Sequence, residues 1–81
     1  MASSPEWTDV DGTLTRRFEF ANFVEAFGFV TQVALVAQRL DHHPDIAISW
    51  NKVGITTTSH DSGNTLTDRD HKLTEAIDKL L

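Results

Sequence analysis

The chain has 81 residues, 12 acidic against 7 basic side chains, a formal net charge of −5 and no cysteine. That length accommodates one small domain, and the lack of cysteine excludes a disulfide scaffold, thiol catalysis and cysteine-based zinc sites. The negative balance, with only Arg16 and Arg17 adjacent, argues against direct nucleic-acid binding, which relies on clustered Lys and Arg.

Residues 1–5 are short and polar and are expected to be frayed. They carry neither a charged n-region nor an apolar h-region, so no secretory leader is expected there. No apolar run approaches the roughly 18 residues of a bilayer span. A cytoplasmic protein without a membrane partner is the expectation, with residues 6–81 forming a single domain. Segments 6–10 and 14–20 flank Asp11-Gly12, a pair that tolerates positive φ and so signals a tight hairpin. In the second segment Leu14, Arg16, Phe18 and Phe20 share one face.

From Asn22, a plausible N-cap, the period changes. Phe23, Phe27, Val30, Ala34 and Ala37 step by four and three and predict one buried helical stripe ending near Leu40. Val24, Phe29, Val33, Val36 and Leu40 widen the apolar surface, so a second face is expected to be buried by another subunit. Val33 serves as the probe position for that face. Gly28 inside the helix predicts close packing against a neighbour.

Pro44 ends the helical region. Ile46, Ile48 and Trp50 alternate, and after a turn at Asn51-Lys52 a second Val-, Ile- and Thr-rich run occupies residues 53–60. Residues 61–65 read as a loop. Thr67 opens a last helix with Asp70 as its capping-box partner, and Leu73, Ala76, Ile77 and Leu80 form its inner stripe. The order ββαββα predicts an α+β fold, a four-stranded antiparallel sheet of two hairpins with helices on one face.

His42 and His43 lie between a helix end and a strand, and His60 ends the last strand. Three imidazoles at one rim would suit general acid–base work at neutral pH. The pair could equally serve only the carbonyls and dipole of the helix end. A metal site using these histidines with Asp41 or Asp61 is a third option, disfavoured because adjacent histidines diverge. His71 falls on the exposed side of the last helix. Trp7 and Trp50 suit either packing or an aromatic ligand wall. Glycines 12, 28, 54 and 63 are too scattered for a phosphate loop.

The run from Ala37 to Asp45 containing Leu40-Asp41-His42-His43-Pro44, then Trp50-Asn51-Lys52-Val53, Thr58-Ser59-His60 and Asp68-Arg69-Asp70, resembles the pterin-4a-carbinolamine dehydratase family. Phe18-Glu19-Phe20, Phe23, Ala26-Phe27-Gly28-Phe29 and Val33-Ala34 extend the resemblance upstream, so that it covers nearly the whole chain from Trp7. It implies a four-stranded sheet with helices on one side, and dehydration of a 4a-hydroxytetrahydropterin to a quinonoid dihydropterin. By the same resemblance His42, His43 and His60 are catalytic, and Trp7, Trp50 and Asp70 border the pterin. No metal or organic cofactor is implied. The family further implies a homo-oligomer, dimer or tetramer. Some members of that family also stabilise the dimeric form of a homeodomain transcription factor, so a non-enzymatic binding module is the alternative expectation. Gln38 stands where the family commonly has Glu, four residues before His42, so a carboxylate able to orient a histidine is expected to be missing. The stretch from His60 to Asp70 is one residue longer than usual.

Overall fold

A computed structural model describes residues 6–59, 63 and 65–81. Residues 1–5 and His60, Asp61, Ser62 and Asn64 lie outside the described residues, and with them the expected frayed start, part of the expected loop and one candidate histidine.

The elements follow the predicted order: β1 (Thr8–Val10), β2 (Thr13–Glu19), α1 (Phe23–Leu40), β3 (Asp45–Ser49), β4 (Lys52–Thr57) and α2 (Asp68–Asp78). The four strands make one antiparallel sheet in the order β1-β2-β4-β3. Asp11 and Gly12 join β1 to β2 with φ of 51° and 81°, the pair of left-handed residues that a two-residue hairpin with right-twisted strands requires. The second turn sits one residue earlier than expected. Ser49 pairs with Lys52, so Trp50 and Asn51 form the turn, and Trp50 takes a left-handed φ of 56°. Asn51 compensates by clasping the neighbouring strand end: its Nδ2 donates to the Phe20 carbonyl at 2.8 Å, and its carbonyl accepts from Phe20 N at 2.9 Å.

Alternation places Leu14 and Phe18 of β2, Val53, Ile55 and Thr57 of β4, and the half-buried Ile46 and Ile48 of β3 on the sheet face beneath the helices. Against them α1 sets Ala26, Phe29, Val33, Val36 and Ala37, and α2 sets Leu73 and Ile77. The predicted stripe on α1 is therefore rotated. Phe23 and Phe27 are 47% and 55% exposed, and Val24 and Leu35 reach 78% and 67%. The helix is apolar nearly all round, so periodicity alone does not choose its inner face; Phe29, which meets Phe18 and Phe20 at ring distances of 4.8 and 5.0 Å, does. Val33 points into the core rather than outward. Beyond its own turn of helix, a Cβ added at Gly28 would meet no atom within 4 Å. Close packing is not its reason.

By length and composition α1 could cross a membrane, contrary to the sequence expectation. Its Phe29–Val33–Val36 face instead covers the sheet, the arrangement of a core helix. Trp7 is likewise core. Its ring meets Phe18 edge-on at 6.1 Å, and its indole N–H donates to Asp78 Oδ1 at 2.9 Å. Arg16 reaches the same carboxylate oxygen at 2.9 Å while its guanidinium lies over the Phe18 ring at 4.6 Å. The imperfect alternation at Arg16 thus marks a cation–π and ion-pair seam between sheet and helix.

Candidate active site

The site begins at the end of α1. Asp41 follows the helix at φ 54° and ψ 42°, in the left-handed region. Its N–H bonds the Gln38 carbonyl at 3.2 Å, and the N–H of His42 bonds the Ala37 carbonyl at 3.1 Å. These two bonds constitute a Schellman motif, in which the residue after the left-handed one folds back over the helix. That position ordinarily holds an apolar side chain. Here it holds His42, which is 7% exposed.

The buried ring meets the first turn of α2. His42 Nε2 lies 2.7 Å from Asp70 Oδ1, and Asp70 is wholly enclosed at 0% exposure. The carboxylate also accepts from Thr57 Oγ1 at 2.7 Å on Oδ1, from Ser59 Oγ at 2.7 Å on Oδ2, and from the Thr67 backbone N–H at 3.0 Å on Oδ2. Thr67 caps α2 in return, so the predicted capping box is present. One side chain therefore starts a helix, receives the end of β4 and holds an imidazole.

Burial alone would raise the Asp70 carboxyl. The donors His42, Thr57, Ser59 and the Thr67 N–H outweigh it and lower the pKa from 3.8 to about 2. Asp70 is then an ion at neutral pH and can only accept. His42 Nε2 must donate, which leaves Nδ1 as the nitrogen that can exchange a proton. This is the orienting half of a carboxylate–histidine pair.

His43, the next residue, turns outward and is exposed. Its Nε2 lies 2.9 Å from Gln38 Oε1. Gln38 thus supports His43 and not His42, and the carboxylate expected to be missing from His42 is supplied by α2. Arg69 completes the joint, donating from Nη2 to the Asp41 carbonyl at 2.9 Å.

Of the residues put forward from sequence, His42 and Asp70 come together, and His43 follows His42 in the chain with its ring turned outward. Asp70 lies behind His42, enclosed, so it reaches a ligand only through that ring. Ser59 brings the chain to Asp70 one residue before His60, which itself lies outside the described residues. Trp7 packs in the core, bonded to Asp78. Trp50 is 62% exposed at the far end of β3, separated from His43 by a strand of about 17 Å at 3.3 Å per residue. Neither tryptophan adjoins the pair within one chain. His71 is half-buried rather than exposed, and its Nδ1 has no hydrogen-bond partner among the described residues. Thr57 and Ser59 were missed from sequence. Their signal was the Thr-rich end of β4, whose inward alternation points hydroxyls at the capping residue of α2.

Comparisons with known proteins point to one family. The family model described as pterin 4 alpha carbinolamine dehydratase matches residues 1–80. A protein of Prochlorococcus marinus strain NATL2A is 49% identical over 78 residues, covering 96% of this chain and 81% of that one. One from Rhodospirillum rubrum is 48% identical over 83 residues, covering 100% and 85%. Both are named, provisionally, as pterin-4-alpha-carbinolamine dehydratases. Among solved structures, a protein from Brucella melitensis described as a transcriptional coactivator/pterin dehydratase superposes with TM-score 0.85 and 39% identity, covering 93% of this chain and 81% of its own. A pterin dehydratase-like protein, described as a RuBisCO assembly factor of the alpha-carboxysome, shares the fold at TM-score 0.74 with 19% identity, covering 91% and 84%.

Proposed function

The chain belongs to the pterin 4-alpha-carbinolamine dehydratase family, and from that premise we propose that it is a hydro-lyase acting on a 4a-hydroxytetrahydropterin. The observation that carries the reading is the buried His42–Asp70 pair beside an exposed His43. Such a pair supplies an oriented imidazole and a second, solvent-facing one on adjacent residues.

The reaction needs two proton movements. A base takes the proton from N5, whose electrons form the N5–C4a double bond. The C4a–oxygen bond breaks as an acid protonates the departing hydroxyl, which leaves as water. The product is the quinonoid dihydropterin. His42, His43 and His60 carry these transfers in this proposal, each positioned group contributing about 10²–10⁴ in rate. Asp70 faces His42 Nε2 with a full negative charge and compensates the positive charge that arises when Nδ1 takes a proton. No metal or organic cofactor takes part. The product would feed tetrahydrobiopterin recycling in the cytoplasm.

The test follows the pterin chromophore with the wild-type protein and with His42→Ala, His43→Ala and His60→Ala. We expect a fall of about 10²-fold or more in each variant. Wild-type rates in all three would overturn the assignment.

A second reading rests on α1. Phe23, Val24, Phe27 and Leu35 form an apolar face that the sheet does not cover. We propose that a homo-oligomer, a dimer at least and a tetramer in its favoured state, buries it. The same face would serve a non-enzymatic binding module, and relatives described as a coactivator and as an assembly factor make that class concrete. A chain that dehydrates no pterin but binds a helical partner through Leu35 would favour the module.

A further inference from the structure

We infer that Gln38 is a positioning residue for His43, and that His43 meets its ligand through Nδ1; the inference rests on the dehydratase reading above. Gln38 lies in the last turn of α1, and its carbonyl is already fixed by the Asp41 N–H. Its side-chain Oε1 stands 2.9 Å from His43 Nε2. An amide oxygen only accepts, so Nε2 carries hydrogen whether the ring is neutral or cationic. The proton that changes hands is then the one on Nδ1.

His42 obeys the same rule through Asp70. Consecutive imidazoles thus commit the same nitrogen to a side-chain oxygen and keep the same nitrogen for chemistry. Their supports differ in charge. Asp70 is an ion and Gln38 is neutral, so His42 is held by a full negative charge and His43 by an amide dipole. An exposed imidazole with no support would divide its time among ring orientations and between two neutral tautomers.

Long-range proton–nitrogen-15 spectra at a pH where His43 is neutral test the inference directly. The wild-type protein should show His43 as the Nε2–H tautomer. Gln38→Leu, nearly isosteric and at an exposed position, should bring in the Nδ1–H tautomer. It should also lower kcat about three- to tenfold with KM within about twofold. Gln38→Glu restores an acceptor oxygen and should recover the Nε2–H tautomer and most of the lost rate. A wild-type His43 protonated on Nδ1 would overturn the inference, as would a Leu variant with unchanged tautomer and kcat. If the wild-type protein dehydrates no pterin, the dehydratase reading falls while the spectra still decide what Gln38 does.

Discussion

Asp70 Oδ1 lies 2.7 Å from His42 Nε2 across 28 residues of sequence, and the same carboxylate closes the capping box of α2. Removing its charge therefore acts on folding and on the site together. In Asp70→Asn the amide nitrogen replaces one acceptor, so hydroxyl and imidazole donors lose their partner. We expect stability to drop by about 2–4 kcal/mol in urea titrations. Dehydration should slow by about 10²-fold or more in the fraction that stays folded.

Acid should act through the same group. The folded-state pKa of Asp70, about 2, lies below its ordinary value of 3.8. Its contribution is fully present above about pH 4 and is lost as pH falls toward 2, by about 2 kcal/mol at 1.36 kcal/mol per unit. Urea midpoints measured between pH 5 and pH 2 should show this decline. The Asp70→Asn protein should show a shallower one.

Adjacent histidines should separate on stability. His42→Ala removes a donor from the buried Asp70 carboxylate and should cost about 1–3 kcal/mol. His43→Gln alters an exposed side chain and should stay within about 0.5 kcal/mol. Both should slow dehydration, so thermal melts beside rate measurements distinguish a structural loss from a chemical one.

The two faces of α1 give opposite expectations. Val33→Glu places a charge where exposure is 0% and should unfold the chain, with a loss of more than about 3 kcal/mol. Leu35→Glu, at 67% exposure, should leave the far-ultraviolet circular dichroism intact and dissociate the proposed oligomer. Light scattering across a concentration series reads that directly; a wild-type protein monomeric at micromolar concentration would refute the oligomer.

Trp50 occupies a left-handed position, φ 56°, in a two-residue hairpin. A bulky side chain is costly there, whereas glycine takes a positive φ at the first central position of a hairpin without strain. Trp50→Gly should raise stability by about 0.5–1 kcal/mol, measured by chemical denaturation with far-ultraviolet circular dichroism as the probe.

Much of this was legible in sequence because local chemistry dictates it. Asp11-Gly12 allows little besides a tight turn, Asn22 caps α1 through an Oδ1 that accepts from Glu25 N at 2.9 Å, and Thr67 with Asp70 announces the start of α2. The inner face of α1 was not legible, since Phe23 and Phe29 offer the helix equally apolar sides and only the sheet chooses between them. Nor was the partner of His42. Spacing along a helix pointed to Gln38, but the chain reverses at Asp41 and sends consecutive imidazoles in opposite directions. The hairpin at Trp50 was misplaced by one residue because nothing in a tryptophan signals a left-handed turn.

The joint tied by Arg69 and Asp41 has an electrical aspect. α1 brings its carboxyl end, with the Ala37 and Gln38 carbonyls folded into the Schellman motif and the Asp41 carbonyl held by Arg69, to the place where α2 brings its capped amino end. The first pole is negative and the second positive. His42 stands at the negative pole and Asp70 at the positive one, so each polar group sits where the peptide backbone favours the charge it would carry. The negative charge of Asp70 is thereby sustained by the start of α2 as well as by its own contacts. Two helices meeting head to tail act as the poles of a small battery, with the imidazole and carboxylate connected across its terminals.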